Sequence, residues 1–271
     1  METLRSTLDS PLRIVQITDT HLYADPGASL LGLNTQLTLD LILEQVRERH
    51  WPPDLLLATG DLIHDGSPVA YRRLHQQLST LNLPVYCLPG NHDELAQMEH
   101  LLEGGTVHAT TCAGSSAWGF VFVDSTRPGS EGGHLSDSAL EHLQECLQRY
   151  RHQHLLVCLH HQPVPVGSRW LDAMAVDNAD ELFRLIDAAP QVRAILWGHV
   201  HQVYEGERKG VRLLSCPSTC VQFLPGSDGF ALDTLPPGYR WLTLYPDGRI
   251  DSGVERLPAY PAGLDTRAAG Y

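Results

Sequence analysis

The stretch Ala194-Ile195-Leu196-Trp197-Gly198-His199-Val200-His201 carries the reading on which the rest of the chain turns. A short apolar run closed by glycine reads as a buried strand, and two histidines two positions apart follow it at once. In extended chain such residues share a face. The same pattern recurs four more times. Residues 12–18 lead into Asp19-Thr20-His21, Leu55–Thr59 into Gly60-Asp61, Val85–Leu88 into Pro89-Gly90-Asn91-His92-Asp93, and residues 155–159 into His160-His161. In α/β sheets functional groups gather where the carboxyl ends of strands meet a crevice. Five strand ends bearing such side chains are therefore expected to converge, with Gly60, Gly90 and Gly198 letting the backbone turn sharply beside an ion.

Between these runs the apolar spacing changes from strand-like to helical. Residues 35–50 place Leu37, Leu41, Ile42 and Val46 on one face, and residues 69–81 do so with Ala70, Leu74, Leu78 and Leu81. Residues 136–150 stack Leu140, Leu143 and Leu147 behind Ser136 as N-cap. Asn178 followed by Glu181 resembles a capping box ahead of Leu182, Leu185 and Ile186. Further strands are expected at 120–123, Val211–Ser215 and 241–245. Strand–helix alternation over the first two hundred residues argues for an α/β fold with much parallel pairing. We expect one domain over 12–257, its 212–257 portion completing a second sheet or covering the site, and loosely held ends at 1–11 and 258–271.

Composition narrows the classes. Of the 271 residues, 42% are hydrophobic and 19% charged, which is globular. The 19 Lys and Arg against 32 Asp and Glu give a net charge of −13, so a polyanion is repelled and no nucleic-acid partner is expected. The longest unbroken apolar run, 155–159, is far short of the ~20 residues that span a bilayer. The first thirteen residues hold no hydrophobic signal core. A cytoplasmic chain without a membrane partner is the expectation. Six cysteines are too sparse for a disulfide framework. Fifteen histidines are the unusual feature, and position must sort them.

Asp19, His21, Asp61, Asn91, His160, His199 and His201 make seven candidate ligands, too many for one ion and about right for two sharing a bridging carboxylate. Mixed carboxylate, amide and imidazole donors suit Fe, Mn, Zn or Co better than an all-oxygen cage suited to Ca²⁺ or Mg²⁺. His50, His75, His100, His108, His134, His142, His152 and His154 read as surface or structural. His64, three after Asp61, is the least safely so, because its loop should border the cleft. His161 should point away from His160, and Asp65 and Asp93 could orient His92 or cap loops.

As an ordered set, D-x-H, G-D, G-N-H-D, H-H and G-H-x-H resemble the calcineurin-like metallophosphoesterases. The wider pattern Asp19-Thr20-His21-Leu22, Leu31-Gly32-Leu33-Asn34-Thr35, Trp170-Leu171-Asp172 and 217–223 is similar to the bacterial class III 3',5'-cyclic AMP phosphodiesterases, as is the tail Leu232-Asp233-Thr234 with Pro237-Gly238-Tyr239-Arg240. The resemblance implies a four-layer α/β/β/α sandwich of two mixed sheets flanked by helices. It assigns Asp19, His21, Asp61 and His201 to one ion, and bridging Asp61, Asn91, His160 and His199 to the other. His92 becomes the unliganded histidine facing the substrate, with His21, Asp61, Asn91 and His201 also in reach of it. Cys220 and Gln222 are implied to line the nucleotide pocket. Gln162 departs from the proline that often follows the histidine pair, beside the ligand and not part of it.

The chemistry then implied is hydrolysis of cyclic AMP to 5'-AMP, lowering the intracellular messenger. A bridging hydroxide attacks in line, Asp61 holds both ions, and His92 is the general acid for the leaving 3'-oxygen. Two ions, Fe and Mn first and Zn, Co or Mg otherwise, are the expected cofactors, and cyclic AMP the partner of a monomer or homodimer. The alternatives are a broader phosphodiesterase for 2',3'-cyclic nucleotides or glycerophosphodiesters, and a non-catalytic scaffold, which the filled ligand positions disfavour. A metallo-β-lactamase-type enzyme would need H-x-H-x-D-H, which the chain lacks.

Overall fold

A computed structural model of the chain describes residues 10–49, 52–261, 263–268 and 270. In chain order the elements are β1 (Leu12–Ile17), β2 (Ser29–Leu30), β3 (Leu33–Asn34), α1 (Thr35–Arg49), β4 (Leu55–Thr59), α2 (Pro68–Ser79), β5 (Val85–Leu88), α3 (Leu95–Leu101), β6 (Val107–His108), β7 (Cys112–Gly114) and β8 (Trp118–Phe122). There follow α4 (Asp137–Arg149), β9 (His154–Cys158), α5 (Arg169–Asp172), α6 (Ala179–Asp187), β10 (Val192–Trp197), β11 (Glu205–Arg208), β12 (Val211–Ser215), β13 (Gly238–Leu244) and β14 (Ile250–Arg256).

Two six-stranded sheets form, ordered β14-β13-β1-β4-β5-β6 and β11-β12-β10-β9-β8-β7. Both are mixed: β1-β4-β5-β6 and β12-β10-β9-β8 run parallel, while β13, β14, β11 and β7 pair antiparallel at the edges. The period of two explains the layering. In β1, Leu12 and Ile14 enter the core between the sheets, whereas Val15 and Ile17 face a helix layer. In β9, Leu156 and Cys158 face the other sheet, and Leu155 and Val157 face helices. The inter-sheet core is closed by Leu55, Leu57, Phe120, Phe122 and Leu196. Helices α1 and α2 cover the first sheet and α4 and α6 the second. Each fully buried Leu or Ile contributes ~1.5–3 kcal/mol relative to exposure. The α/β/β/α architecture is as the family resemblance implied.

Two details of the helices differ from the sequence reading. The buried stripe of α1 is Leu39, Ile42, Leu43 and Val46, while Leu37 is 47% exposed and Leu41 lies at the margin. The i, i+3, i+4, i+7 set starting at Leu39 is the better helical match, and threonines 35 and 38 share its buried side. Asn178 forms no capping box. Its amide instead bridges Leu135, accepting from the backbone N–H and donating to the carbonyl, both at 2.9 Å. Ser136 does cap α4, accepting from Ala139 N–H at 3.1 Å. His50 lies outside the described residues.

Residues 212–257 serve both sheets, β12 completing the second while β13 and β14 extend the first. Arg240 of β13 is fully buried and stitches the two together. Its Nε donates to Ser215 O at 2.8 Å, and Nη1 donates to Glu205 Oε1 and Ser252 Oγ, each at 2.9 Å. The carboxyl-terminal segment is held more than expected. Asp265 N–H donates to Leu31 O at 2.9 Å, and Tyr260 and Leu264 pack on the helix-side core of the second sheet. Residues 1–9 of the expected loose amino end lie outside the described residues.

Candidate metal centre

The parallel strands β1, β4, β5, β9 and β10 all end at one rim. Backbone bonds lock the loops that follow: Asp19 N–H donates to Gly60 O at 3.0 Å, His21 N–H to Asp61 O at 2.9 Å, and Gly198 N–H to His160 O at 3.1 Å. The expectation of extended chain through the ligands is corrected here. Strands β1 and β10 stop at Ile17 and Trp197. Asp19, His21, Asp61, His199 and His201 then adopt left-handed backbone, with φ of 53°, 44°, 49°, 64° and 46°. A Cβ in that region costs roughly 1–2 kcal/mol per residue, a strain that clusters at functional sites. The alternate residues do reach one cleft, but through tight turns and not along a pleat. Close approach explains two glycines: a Cβ at Gly90 would overlap the Asp61 carboxylate, and one at Gly198 would overlap the Thr18 hydroxyl and crowd Asp19.

Residues 180 positions apart thereby meet. His199 N–H donates to both oxygens of Asp19 at 3.1 Å. His201 Nε2 stands 3.3 Å from Asp19 Oδ1 and 3.2 Å from His21 Nε2, which is itself 3.8 Å from Asp61 Oδ2. A tetrahedron with metal–nitrogen bonds of ~2.0–2.1 Å has edges of about 3.3 Å, so this spacing fits donors around one cation. Across Asp61, His160 Nε2 lies 3.3 Å from Oδ2 outside hydrogen-bond geometry. Asn91 Oδ1, His160 Nε2 and His199 Nε2 are buried with no hydrogen-bond partner among the described residues. Three buried polar atoms left without partners beside the Asp61 carboxylate are what a bound cation would satisfy. Backbone carbonyls fix two rings from behind: His160 Nδ1 donates to Thr59 O at 2.9 Å and His201 Nδ1 to Val221 O at 2.8 Å, turning each Nε2 into the cleft.

The electrostatics agree. Burial raises the Asp61 carboxyl, but His160, His21 and His92 outweigh it and hold it well below the usual range. Burial lowers His160, yet Asp61 and Asp19 prevail and lift it to about 9. Burial drives His21 and His199 well below the ordinary imidazole value. Two buried carboxylates among crowded imidazoles thus call for positive charge that the rings supply only in part.

Around the donors, several open questions resolve. Asp93 is a clamp: its carboxylate accepts from the N–H groups of Leu62 (3.0 Å), Ile63 (3.1 Å) and Gly90 (3.0 Å) and from the Tyr71 hydroxyl (2.8 Å). Asp65 caps its loop, accepting from Ala24 and Ser67 N–H. His161 is buried beside His160 and engages Ser125 Oγ at 2.8 Å and Glu131 O at 3.2 Å. The expectation that it points away from His160 is corrected: its ring meets His160 edge-on at 5.0 Å and lies 4.6 Å from the His199 ring, packed against both because the chain has already left the strand at Cys158. His92 donates its backbone N–H to Asp61 Oδ1 at 2.9 Å, and its ring meets His21 edge-on at 5.0 Å. Cys220 and Gln222 do not line the adjoining cavity. They are buried behind it, Cys220 Sγ donating to Asp19 O at 3.4 Å and Gln222 Nε2 to Ser218 O at 2.8 Å.

That cavity, about 240 Å³, is lined by Asn91, His92 and His199 together with Trp170, Met174 and Phe230. Phe223 also lines it and stacks on His201 at 4.2 Å and 10°. Met174 and Phe230 were missed from sequence, since a lone apolar residue in a loop carries no local signal.

A family model described as calcineurin-like phosphoesterase matches residues 12–203. The chain is 41% identical over 263 residues to the 3',5'-cyclic adenosine monophosphate phosphodiesterase CpdA of Pseudomonas aeruginosa, covering 97% of this chain and 96% of that one. It is 39% identical to the CpdA of Escherichia coli K12, at 97% and 96% coverage. To the 3',5'-cyclic-nucleotide phosphodiesterase alr5338 of Nostoc it is 38% identical, at 92% and 93%. Among solved structures, a dimetal phosphatase from Danio rerio superposes with a TM-score of 0.59 at 17% identity, over 92% of this chain and 99% of that one. GAP50 of Plasmodium gives 0.64 at 14%, over 93% and 90%. These two likenesses show the fold alone.

Proposed function

The chain belongs to the calcineurin-like phosphoesterase family, and we propose that within it the protein is a metal-dependent 3',5'-cyclic AMP phosphodiesterase, releasing 5'-AMP. The observation that carries this reading is the pair of donor sets meeting at Asp61, with Asn91 Oδ1, His160 Nε2 and His199 Nε2 left unsatisfied on one side. We assign Asp19, His21, Asp61 and His201 to one cation, and Asp61, Asn91, His160 and His199 to the other. Fe and Mn are the pair we place first; Zn, Co and Mg are the alternatives. When bound, such cations supply Lewis acidity that activates a water and neutralises charge on the phosphoryl group.

The side chains do the rest. The carboxylate of Asp61 serves both donor sets, and its Oδ1 fixes the His92 backbone. His92 stands at the cavity wall, where its imidazolium donates a proton to the departing 3'-oxygen and prevents an alkoxide from forming. Trp170, Phe223 and Phe230 offer aromatic surface for the base, and half-buried Asn91, lining the same cavity, orients the phosphoryl end. No helix among the described residues is long and apolar enough to cross a membrane.

The test is turnover by the purified, metal-loaded chain of cyclic AMP, cyclic GMP, 2',3'-cyclic AMP and an aryl phosphate diester, with products identified. Cyclic AMP giving 5'-AMP, abolished by chelation, is expected. Turnover of the other diesters without cyclic AMP would instead establish the broader enzyme. His92→Ala should retain its metals and lose ~10²–10⁴-fold in kcat on cyclic AMP. Full activity in that variant removes His92 from the reaction.

A further inference from the structure

One imidazole at the cleft has no task in the reaction above. His64 lies three residues after Asp61, partly buried, in the loop that follows β4. Its Nδ1 is 3.1 Å from Nδ1 of His21. Its ring stacks on His92 at 4.7 Å with 21° between planes, and Tyr23 packs against it at 4.8 Å. Its backbone N–H donates to Leu22 O at 2.8 Å, tying the loop after β4 to the loop after β1. One ring therefore touches both a proposed cation donor and the proposed proton donor.

The proton count gives the contact a direction. His21 turns Nε2 toward His201 Nε2 (3.2 Å) and Asp61 Oδ2 (3.8 Å), so that nitrogen must offer a lone pair if it is to hold a cation. The ring proton of His21 then sits on Nδ1. Only one of two facing nitrogens 3.1 Å apart can donate, so His64 Nδ1 accepts and His64 carries its own proton on Nε2. Backbone carbonyls perform this office for His160 and His201. At His21 a side chain performs it, and the same side chain supports His92.

We propose that His64 is a positioning residue with two separable duties: its Nδ1 fixes the tautomer in which His21 faces the first donor set, and its ring face holds His92 over the cavity. The proposal rests on the reading of His21 as a cation donor and His92 as the general acid.

Two variants separate the duties. His64→Phe keeps an aromatic face and loses the acceptor; His64→Gln keeps an acceptor and loses the stack. Metal retained after dialysis against graded chelator, measured by elemental analysis without substrate, reads the first duty. The Phe variant should bind the first cation ~10–100-fold more weakly, as loss of an outer hydrogen-bond partner typically does, with the Gln variant close to the parent. Turnover reads the second. With saturating metal, His64→Gln should lose about tenfold or more in kcat on cyclic AMP with KM little changed. It should lose far less on bis(p-nitrophenyl) phosphate, whose leaving group departs without a proton.

Metal retention equal in both variants, whether unchanged or equally weakened, overturns the first duty. Equal kcat losses on the two diesters, or no loss on cyclic AMP, overturn the second. Melting curves of the metal-free variants identify a general folding defect, which would also count against both duties. Should the parent protein prove inactive on cyclic AMP, the functional reading fails while the metal measurement still decides the first duty.

Discussion

At the scale of single residues, the centre is built by glycine as much as by its donors. Gly90 has no room for a methyl group because the Asp61 carboxylate occupies that space. Gly90→Ala should therefore displace the Asp61 carboxylate, and, on the proposed assignment of Asp61 to both cations, elemental analysis should find metal depleted in a chain whose circular dichroism still reports the native fold. Undiminished metal content in that variant would place the carboxylate elsewhere. The side chains that meet at the cleft were legible in sequence because each follows a strand, and strands are legible. The left-handed backbone of Asp19, His21, Asp61, His199 and His201 was not, since Asp and His at such positions look like any other residue leaving a strand.

At the scale of elements, the loops after β4 and β5 are joined by one side chain. Asp93 collects three backbone N–H groups and the Tyr71 hydroxyl from α2, and Tyr71 in turn accepts from Glu94 N–H at 2.9 Å. Removing it strands several buried donors, each costing ~1–3 kcal/mol. Asp93→Ala should lower the denaturation free energy by about 2–4 kcal/mol and loosen metal retention, because Asp61 and Asn91 flank the clamp. Urea titration with parallel metal analysis checks both, and loss of neither would make the clamp ornamental. Core strands such as Leu55–Thr59 and Val85–Leu88 were readable to the residue from their apolar runs. The edge strands were not: β11 is Glu-Gly-Glu-Arg and β14 alternates weakly, since a strand with one neighbour and a wet face need not be apolar. Asn178 misled for a related reason. Its type suits a cap, and only the distant approach of Leu135 determines where its amide points.

At the scale of the whole molecule, two terms oppose each other. The net charge of −13 repels an anionic phosphodiester, while the centre attracts it once cations are bound. Repulsion acts over the Debye length, roughly 8 Å at physiological salt, and is screened as salt rises. Raising ionic strength at fixed free metal should thus increase kcat/KM by less than about tenfold; a steep fall would mean that local attraction governs approach. Arg240 joins the sheets, and replacing it removes three hydrogen bonds from a buried seam. Arg240→Leu should cost about 2–4 kcal/mol, read by denaturant titration, with cation stoichiometry per folded chain unchanged. A variant as stable as the parent would show that apolar packing alone holds the seam.

The left-handed turns at Asp19, His21, Asp61, His199 and His201 carry a consequence for anyone who tries to harden this protein against heat. Glycine adopts such backbone without the Cβ penalty that every aspartate or histidine there carries. A selection scored on melting temperature alone, run in chelator, would be drawn to these five positions and would enrich robust, inert chains. Durability and reactivity compete here at the same handful of codons, so any campaign of improvement has to score both at once.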